Sequence, residues 1–97
     1  MPPRLVKHLR ITGRVQGVGY RDAMRQAAVD CAVTGWVRNR RDGSVEAMVR
    51  GDADALAAII AWARNGPLLA QVVSVTVTDA DGGEDNTFDA FEFRPTA

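Results

Sequence analysis

Two hydrophobic periods follow one another along this chain, one typical of strands and one typical of helices. From residue 5 to residue 12, apolar Leu9 and Ile11 alternate with polar neighbours, which predicts a β-strand. From about residue 21 to residue 32 the apolar residues return every three or four positions, which predicts a helix with one buried stripe. The residues of that stripe are Met24, Ala27, Ala28 and Cys31.

The remaining segments extend this order to β-α-β-β-α-β with one further strand. They are predicted as a strand at 36–40, a hairpin turn at 41–43, a strand at 44–50, a helix at 52–64, a strand at 72–78 and a short strand at 91–93. Asp52 is a candidate N-cap of the second helix. Gly35 is expected in the left-handed conformation that follows the first helix. The alternate valines of the strand at 72–78, including Val73, are expected on one face.

This order predicts an α+β fold, a ferredoxin-like sandwich with a mainly antiparallel sheet and both helices on one face. At 97 residues the chain can bury one hydrophobic core, so a single domain over residues 1–97 is expected. A hydrophobic share of 46% and a charged share of 25% are typical of globular proteins, so a disordered chain is excluded.

Charge and cysteine content argue against several classes of protein. Twelve basic and twelve acidic residues give zero formal net charge, whereas a duplex-binding domain usually carries a basic surplus. One cysteine cannot form an internal disulfide, and one cysteine with one histidine argues against a zinc site. The sequence has no apolar run long enough for a membrane span and no signal-peptide core, so a cytoplasmic protein is expected.

A glycine-rich segment, Gly-Arg-Val-Gln-Gly-Val-Gly-Tyr-Arg at residues 13–21, joins the first strand to the first helix. Glycine allows a tight loop whose backbone amides turn inward without Cβ atoms in the way. A loop of this kind at a helix N-terminus is an anion site, because unpaired N–H groups and the helix dipole point at one place. Arg14 and Arg21 add positive charge, so the loop is predicted to hold a phosphoryl group.

Asn39 is the second element of the predicted site. The two strands of a β-α-β unit run in the same direction, so their C-terminal ends lie at one edge of the sheet. The glycine loop follows the first strand and Asn39 lies near the end of the second. We therefore expect the loop, Arg21 and Asn39 to meet at this edge.

The sequence lacks the residue sets of several familiar sites. A P-loop would need a lysine and a hydroxyl residue after its last glycine, and this chain has neither. No Ser-His-acid or Cys-His set can be assembled there, so the expected nucleophile is water. The acidic segment at 79–89 superficially suggests calcium, but Glu84 stands where an EF-hand loop needs glycine.

The two sequence blocks at 13–21 and 35–39, followed by Asp-Gly-Ser-Val-Glu at 42–46, closely resemble the acylphosphatases. Gly51, Gly66-Pro67 and the final Phe-Glu-Phe at 91–93 also match that family. The resemblance covers nearly the whole chain. The sequence differs from the usual family pattern at Gly19, where a bulky residue is common, and in the Pro-Thr-Ala segment at 95–97.

The resemblance implies a metal-independent hydrolase that needs no cofactor and converts acyl phosphates to a carboxylate and inorganic phosphate. It implies that Arg21 binds the phosphate and that Asn39 orients the attacking water. The backbone amides of the phosphate-binding loop would come from Val15, Gln16, Gly17, Val18, Gly19 and Tyr20. Inorganic phosphate would then be both product and competitive ligand, and a monomer is expected.

Two other functions remain open from the residues alone. The loop could belong to a non-catalytic phosphate-binding or acyl-phosphate-binding module of the same fold. The sheet could also bind nucleic acid if it exposed aromatic side chains among basic neighbours, for which Trp36 and Tyr20 are poor candidates. His8 is expected on the polar face of its strand, and Trp62 is expected to pack in the core rather than to bind a ligand.

Overall fold

Two helices cover one face of a five-stranded sheet in the computed structural model of the chain, which describes residues 4–80 and 90–97. The elements are β1 (Leu5–Arg14), α1 (Tyr20–Asp30), β2 (Thr34–Asn39), β3 (Val45–Gly51), α2 (Ala53–Asn65), β4 (Gln71–Asp79) and β5 (Phe91–Phe93). This is the predicted element order, and the helix and strand ends differ from the predicted ones by a few residues. The acidic segment discussed above lies outside the described residues from residue 81 to residue 89.

The strands are arranged in the order β4-β1-β3-β2-β5. Strand β1 pairs antiparallel with both β3 and β4, and β2 pairs antiparallel with β3. The short β5 runs parallel to β2 and forms the other edge of the sheet. The predicted ferredoxin-like α+β fold is confirmed. The parallel partner of β2 is a detail that the sequence pattern did not indicate.

The core lies between the sheet and the two helices, as the alternation of side chains along a strand requires. Both helices contribute apolar side chains to it, which places them on the same face of the sheet. The buried residues of this cluster include Leu9, Ile11, Met24, Ala28, Val37, Ala47, Val49, Leu56, Ile59, Ala63 and Phe91. The free thiol of Cys31 is half-buried and packs against the same cluster.

The predicted N-cap of α2 is confirmed, whereas the prediction for the C-terminal end of α1 is wrong. The Asp52 carboxylate accepts a hydrogen bond of 2.8 Å from the Ala55 amide, which is the predicted N-cap. After α1 the left-handed residue is Ala32, with φ 59°, so the prediction that Gly35 takes this role is wrong. Gly35 lies inside β2, where a Cβ atom would collide with the Met48 carbonyl oxygen of β3. Close packing of two strands is the reason for glycine there.

The prediction for Val73 is also wrong. The pairing of β1 with β4 shifts register between Thr12 and Gly13, so that Thr12 pairs with Ser74 while Gly13 pairs with Val72. Val73 falls at this irregularity and is 79% exposed. An extra residue in a strand turns its side chain off the buried face, and strict alternation does not foresee it.

Within the described part of the chain, neither helix is long and apolar enough to cross a membrane.

Candidate active site

The predicted site residues surround one cavity at the edge of the sheet where β1 and β2 end. This cavity, which we call the cradle, has a volume of about 170 Å³. Its walls are formed by Val15, Gln16, Gly17, Gly19, Tyr20, Arg21, Asp22 and Asn39. The structure thus brings the glycine loop, Arg21 and Asn39 to one place. Val18 is the exception, because it packs against the hydrophobic core instead of lining the cradle.

The backbone of the loop adopts conformations that favour glycine at two positions. Gly17 has φ 73° and Gly19 has φ 80°, and no described atom beyond the adjacent residues lies within 4 Å of where a Cβ would stand at either. Gly19 is also the N-cap of α1. The helical hydrogen bonds begin at the Ala23 amide, which donates to the Gly19 carbonyl at 3.1 Å. The amides before Ala23 therefore point out of the helix N-terminus, where the dipole favours an anion.

Tyr20 and Val15 hold the loop in place through buried side chains. The Tyr20 hydroxyl donates a hydrogen bond of 2.8 Å to the Ala63 carbonyl of α2, and its ring lies 5.3 Å from that of Trp62. Burial raises the pKa of the Tyr20 hydroxyl well above its ordinary value, so this group does not titrate near neutral pH. Tyr20 therefore offers the cradle its backbone amide, not a phenolic proton. Trp62 packs in the core as predicted.

The Gln16 side chain connects the loop to the turn that follows β2. Its amide nitrogen donates hydrogen bonds to the Arg40 carbonyl at 2.7 Å and to the Ser44 carbonyl at 2.8 Å. The turn is itself rigid, since Asp42 accepts hydrogen bonds from the Ser44 backbone amide and hydroxyl. Those bonds, with help from Arg10, hold the pKa of the Asp42 carboxyl below its ordinary range. Gln16 therefore fixes the distance between the loop and the end of the strand that carries Asn39.

Arg21 is the cation of the cradle. It lies in the first turn of α1, half-buried, where a positive charge opposes the helix dipole. No carboxylate within residues 4–80 or 90–97 lies within 4 Å of its guanidinium. An anion between Arg21 and the helix N-terminus would satisfy both of these positive groups.

Asn39 is the last residue of β2, and its backbone is paired with β3 on one side and with the segment after β5 on the other. It pairs with Val45 in β3, and its carbonyl accepts a hydrogen bond of 3.1 Å from the Ala97 amide. Its side-chain oxygen is buried and accepts no hydrogen bond from the residues that the structure describes. A buried acceptor without a partner is costly, so a donor is expected to occupy this position during function.

The open face of the sheet, opposite the helices, has a different character. Trp36 is only 6% exposed and lies between the guanidinium groups of Arg38 and Arg94, at 4.9 and 5.0 Å. His8 lies 2.6 Å from the Glu46 carboxylate on this face, as expected for a polar position. Trp36 thus offers no exposed platform on which a nucleic-acid base could stack, as the nucleic-acid alternative would require.

Comparisons with known proteins agree with this geometry. A family model described as Acylphosphatase matches residues 7–93. The chain belongs to the acylphosphatase family. It is 55% identical to an acylphosphatase of Thiobacillus denitrificans over 75 residues, which are 77% of this chain and 84% of that relative. It is 52% identical to an acylphosphatase of Cupriavidus necator over 93 residues, 96% of this chain and 92% of the relative.

A solved acylphosphatase structure has the same fold. The structure from Coxiella burnetii matches this one with a TM-score of 0.87 at 30% sequence identity, covering 94% of this chain and 93% of that one. Membership of the acylphosphatase family places the chain among the hydrolases, in enzyme class EC 3.6.1.7.

Sequence reasoning missed two residues beside the acylphosphatase cradle. Asp22 lines it from the first turn of α1, and only its position next to Arg21 could have suggested this. Phe93 of β5 lines a second, smaller cavity next to Arg21 and Asp22. Finding Phe93 from sequence would have required knowing that β5 pairs with β2. In the part of the chain that the structure describes, no three His, Cys, Asp or Glu residues gather as metal ligands would.

Proposed function

We propose that this protein hydrolyses acyl phosphates in the cradle, with Arg21 and the loop amides binding the phosphoryl group and Asn39 orienting the attacking water. The observation that carries the proposal is the joint placement, around one cavity, of a helix N-terminus, a buried amide oxygen and a guanidinium that has no carboxylate partner among residues 4–80 and 90–97. Membership of the acylphosphatase family supports the reaction. The roles of the individual residues rest on the geometry.

The binding step follows from charge and shape. The guanidinium of Arg21 is permanently charged and presents a planar pair of donors to phosphate oxygens. The loop amides from Val15 to Tyr20 supply further donors from a backbone that is already folded into place. Donors held where negative charge develops each contribute about 2.7–4 kcal/mol to transition-state stabilisation in comparable oxyanion sites.

The chemical step needs a water molecule in line with the bond that breaks. The Asn39 carboxamide cannot act as a base, but its oxygen can accept a hydrogen bond from water and hold it against the phosphorus. The water oxygen forms a new bond to phosphorus as the bond from phosphorus to the acyl oxygen breaks. The acyl oxygen leaves with the electron pair as a carboxylate, and the proton of the water passes to a phosphoryl oxygen or to solvent.

The residues of the cradle favour an activated substrate over an ordinary phosphate ester. The Tyr20 hydroxyl is not placed to protonate an alkoxide leaving group in the cradle, because it donates its hydrogen bond to the Ala63 carbonyl of α2. A carboxylate is stable as an anion and needs no proton. A mixed anhydride of a carboxylic acid and phosphoric acid is therefore the substrate class that this set of residues suits.

The test is hydrolysis of benzoyl phosphate with and without a chelator. We expect turnover that the chelator does not change and that inorganic phosphate inhibits competitively. Arg21→Ala should lower kcat/KM at least about a hundredfold and weaken phosphate inhibition. Asn39→Ala should lower kcat by a similar factor and leave phosphate inhibition unchanged, since it positions water and not phosphate.

A matched variant separates these effects from unfolding. Arg64→Ala removes an exposed arginine in the last turn of α2, away from the cradle, and should keep full activity. Phosphate binding by a wild-type protein that shows no turnover would favour the non-catalytic binding module instead. Turnover that survives both Arg21→Ala and Asn39→Ala would overturn the assigned roles.

The proposal also covers the location, the oligomeric state and the partners of the protein. We place the protein in the cytoplasm as a monomer that acts on a small molecule, without a cofactor and without nucleic acid as partner. The single cysteine, which cannot form an internal disulfide, supports the cytoplasmic assignment, and the zero net charge argues against nucleic acid as a partner. Sedimentation and fractionation measurements test them directly.

A further inference from the structure

A second cavity lies beside the cradle and shares two of its residues. It has a volume of about 110 Å³ and is lined by Arg21, Asp22 and Phe93. Arg21 and Asp22 also line the cradle, so the two cavities are neighbours across the first turn of α1. We call this second space the Phe93 cavity. A molecule with its phosphoryl group in the cradle has room here for another part of its structure.

Phe93 is exposed in a way that the fold does not require. Phe91 and Phe93 stand two residues apart in β5, so both side chains point to the helix-covered face. Phe91 is buried in the core at 5% exposure, whereas Phe93 is 43% exposed. The ring of Phe93 lies beyond the core and reaches the N-terminal turn of α1. An apolar ring at the rim of a polar cavity is a common ligand contact.

The Phe93 ring has a contact with α1, and its backbone is paired with β2. The Arg25 guanidinium lies 5.4 Å from the ring centroid, close enough for a cation–π contact. The backbone around it is fixed because Phe93 pairs with Val37 and the Arg94 amide donates to the Val37 carbonyl at 3.0 Å. An aromatic side chain has only two rotatable bonds, so it loses little conformational entropy when a ligand packs on it.

We propose that the Phe93 cavity binds the acyl group of the substrate and that it favours aromatic acyl groups. This inference rests on the proposed hydrolysis of acyl phosphates. The volume of the Phe93 cavity approaches that of cavities of about 150 Å³ that bind benzene, so one aromatic ring in contact with Phe93 suits the space.

The experiment compares two substrates that differ only in the acyl group, benzoyl phosphate and acetyl phosphate. The wild-type protein should show the higher kcat/KM with benzoyl phosphate. Phe93→Ala should lower the ratio of the two kcat/KM values about tenfold, since an aromatic contact of ordinary strength is lost. Phe93→Trp keeps a ring at this position and should keep most of the preference.

A binding measurement gives the same comparison without turnover. Benzoylphosphonate and acetylphosphonate are non-hydrolysable analogues of the two substrates. Phe93→Ala should weaken the first about tenfold more than the second. Leu69→Ala is the matched control, because Leu69 is a 68% exposed apolar residue outside both cavities, and it should change neither ratio.

The outcomes distinguish this inference from the proposed function. An active wild-type protein whose substrate ratio does not change in Phe93→Ala would overturn the acyl-group assignment and leave the hydrolysis intact. Equal losses with both substrates would also overturn it, since they would show that Phe93 supports the fold or Arg21. A wild-type protein without turnover would contradict the proposed function, and the phosphonates would still report whether the cavity prefers a ring.

Discussion

Arg21 in the cradle is arranged in the opposite way to Arg10 and Arg38 on the open face of the sheet. On the open face, Arg38 lies 2.6 Å from the Glu46 carboxylate and Arg10 lies 2.7 Å from the Asp42 carboxylate. In the cradle, Arg21 has no carboxylate within 4 Å among the residues described. The charges of Arg10 and Arg38 are largely neutralised, whereas the charge of Arg21 is available to an anion. The net charge of zero is a sum over the whole chain, so it does not reveal this difference between Arg21 and the paired arginines.

The difference also shows what each region contributes to the protein. Paired charges on the open face connect neighbouring strands and contribute to stability. An unpaired cation at a helix N-terminus is unfavourable for folding, because it opposes the dipole. Such a residue is explained by binding, which is where functional residues commonly conflict with local stability. Substitutions of the same type in the two regions should therefore have different effects.

The largest expected contrast comes from lysine replacements. Arg21→Lys should lower kcat/KM about a hundredfold with little change in stability, because an ammonium group cannot present the planar pair of donors. Arg38→Lys should leave activity unchanged and lower the free energy of unfolding by about 1 kcal/mol. Steady-state kinetics and urea denaturation of both variants measure the contrast. Equal loss of activity in the two variants would contradict it.

The second contrast concerns Gln16, which joins the cradle to the turn after β2. Gln16→Glu keeps the shape but replaces the donor with a carboxylate facing the Arg40 and Ser44 carbonyls, so the loop should move. We expect kcat/KM to fall about tenfold, with weaker phosphate inhibition. Gln26→Glu, on the exposed side of α1, is the matched control and should keep full activity. Unchanged kinetics in Gln16→Glu would show that the two hydrogen bonds do not position the loop.

The third prediction concerns the open face alone, where the stability contributed by the Glu46 carboxylate should depend on pH. Burial opposes ionisation of Glu46, but hydrogen bonds from His8 and Arg38 outweigh it and hold its pKa below the ordinary 4.5. The stability that this carboxylate contributes is therefore complete above pH 4.5 and is lost as the pH falls below it.

Glu46→Gln should lower the free energy of unfolding by about 1–2 kcal/mol at pH 7, with normal kinetics. The difference from wild type should shrink below pH 4.5, which chemical denaturation at a series of pH values measures. A difference that stays constant with pH would contradict the assigned role of the ionised group.

The smallest contrast compares two glycines with the same kind of backbone. Gly19 in the cradle and Gly43 in the β2–β3 turn both have positive φ and open space around a would-be Cβ. Alanine at either position should lower the free energy of unfolding by about 1 kcal/mol, the cost of the left-handed conformation. Only Gly19→Ala should also lower activity, about fivefold, because its methyl group borders the cradle. Equal activity of the two variants would show that the space beside Gly19 is not used.

The elements of the fold and the meeting of the cradle residues could be predicted from the sequence. Periodicity gives the strands and helices, and the parallel sense of a β-α-β unit places the loop and Asn39 at one edge without any knowledge of side chains. These are local rules or simple topological ones, and they hold here.

The parts that could not be predicted depend on contacts between segments distant in sequence. Val73 is exposed because of a register shift against β1, and Gly35 is required by the closeness of Met48 in β3. Phe93 is next to Arg21 only because β5 pairs with β2. The hydrogen-bond partners of Gln16 likewise lie in a turn that its own neighbours do not specify.

The pairing of β2 with the last described segment has a consequence for how the protein is made. Residues 91–97 hold the outer edge of β2, through Arg94 to Val37 and Ala97 to Asn39. Synthesis proceeds from the N-terminus, so the cradle loop and Asn39 leave the ribosome long before this edge can form. Pairing across such a distance in sequence is also slow to form. A nascent chain that already contains the cradle loop and Asn39 therefore still lacks the segment that covers the outer edge of β2.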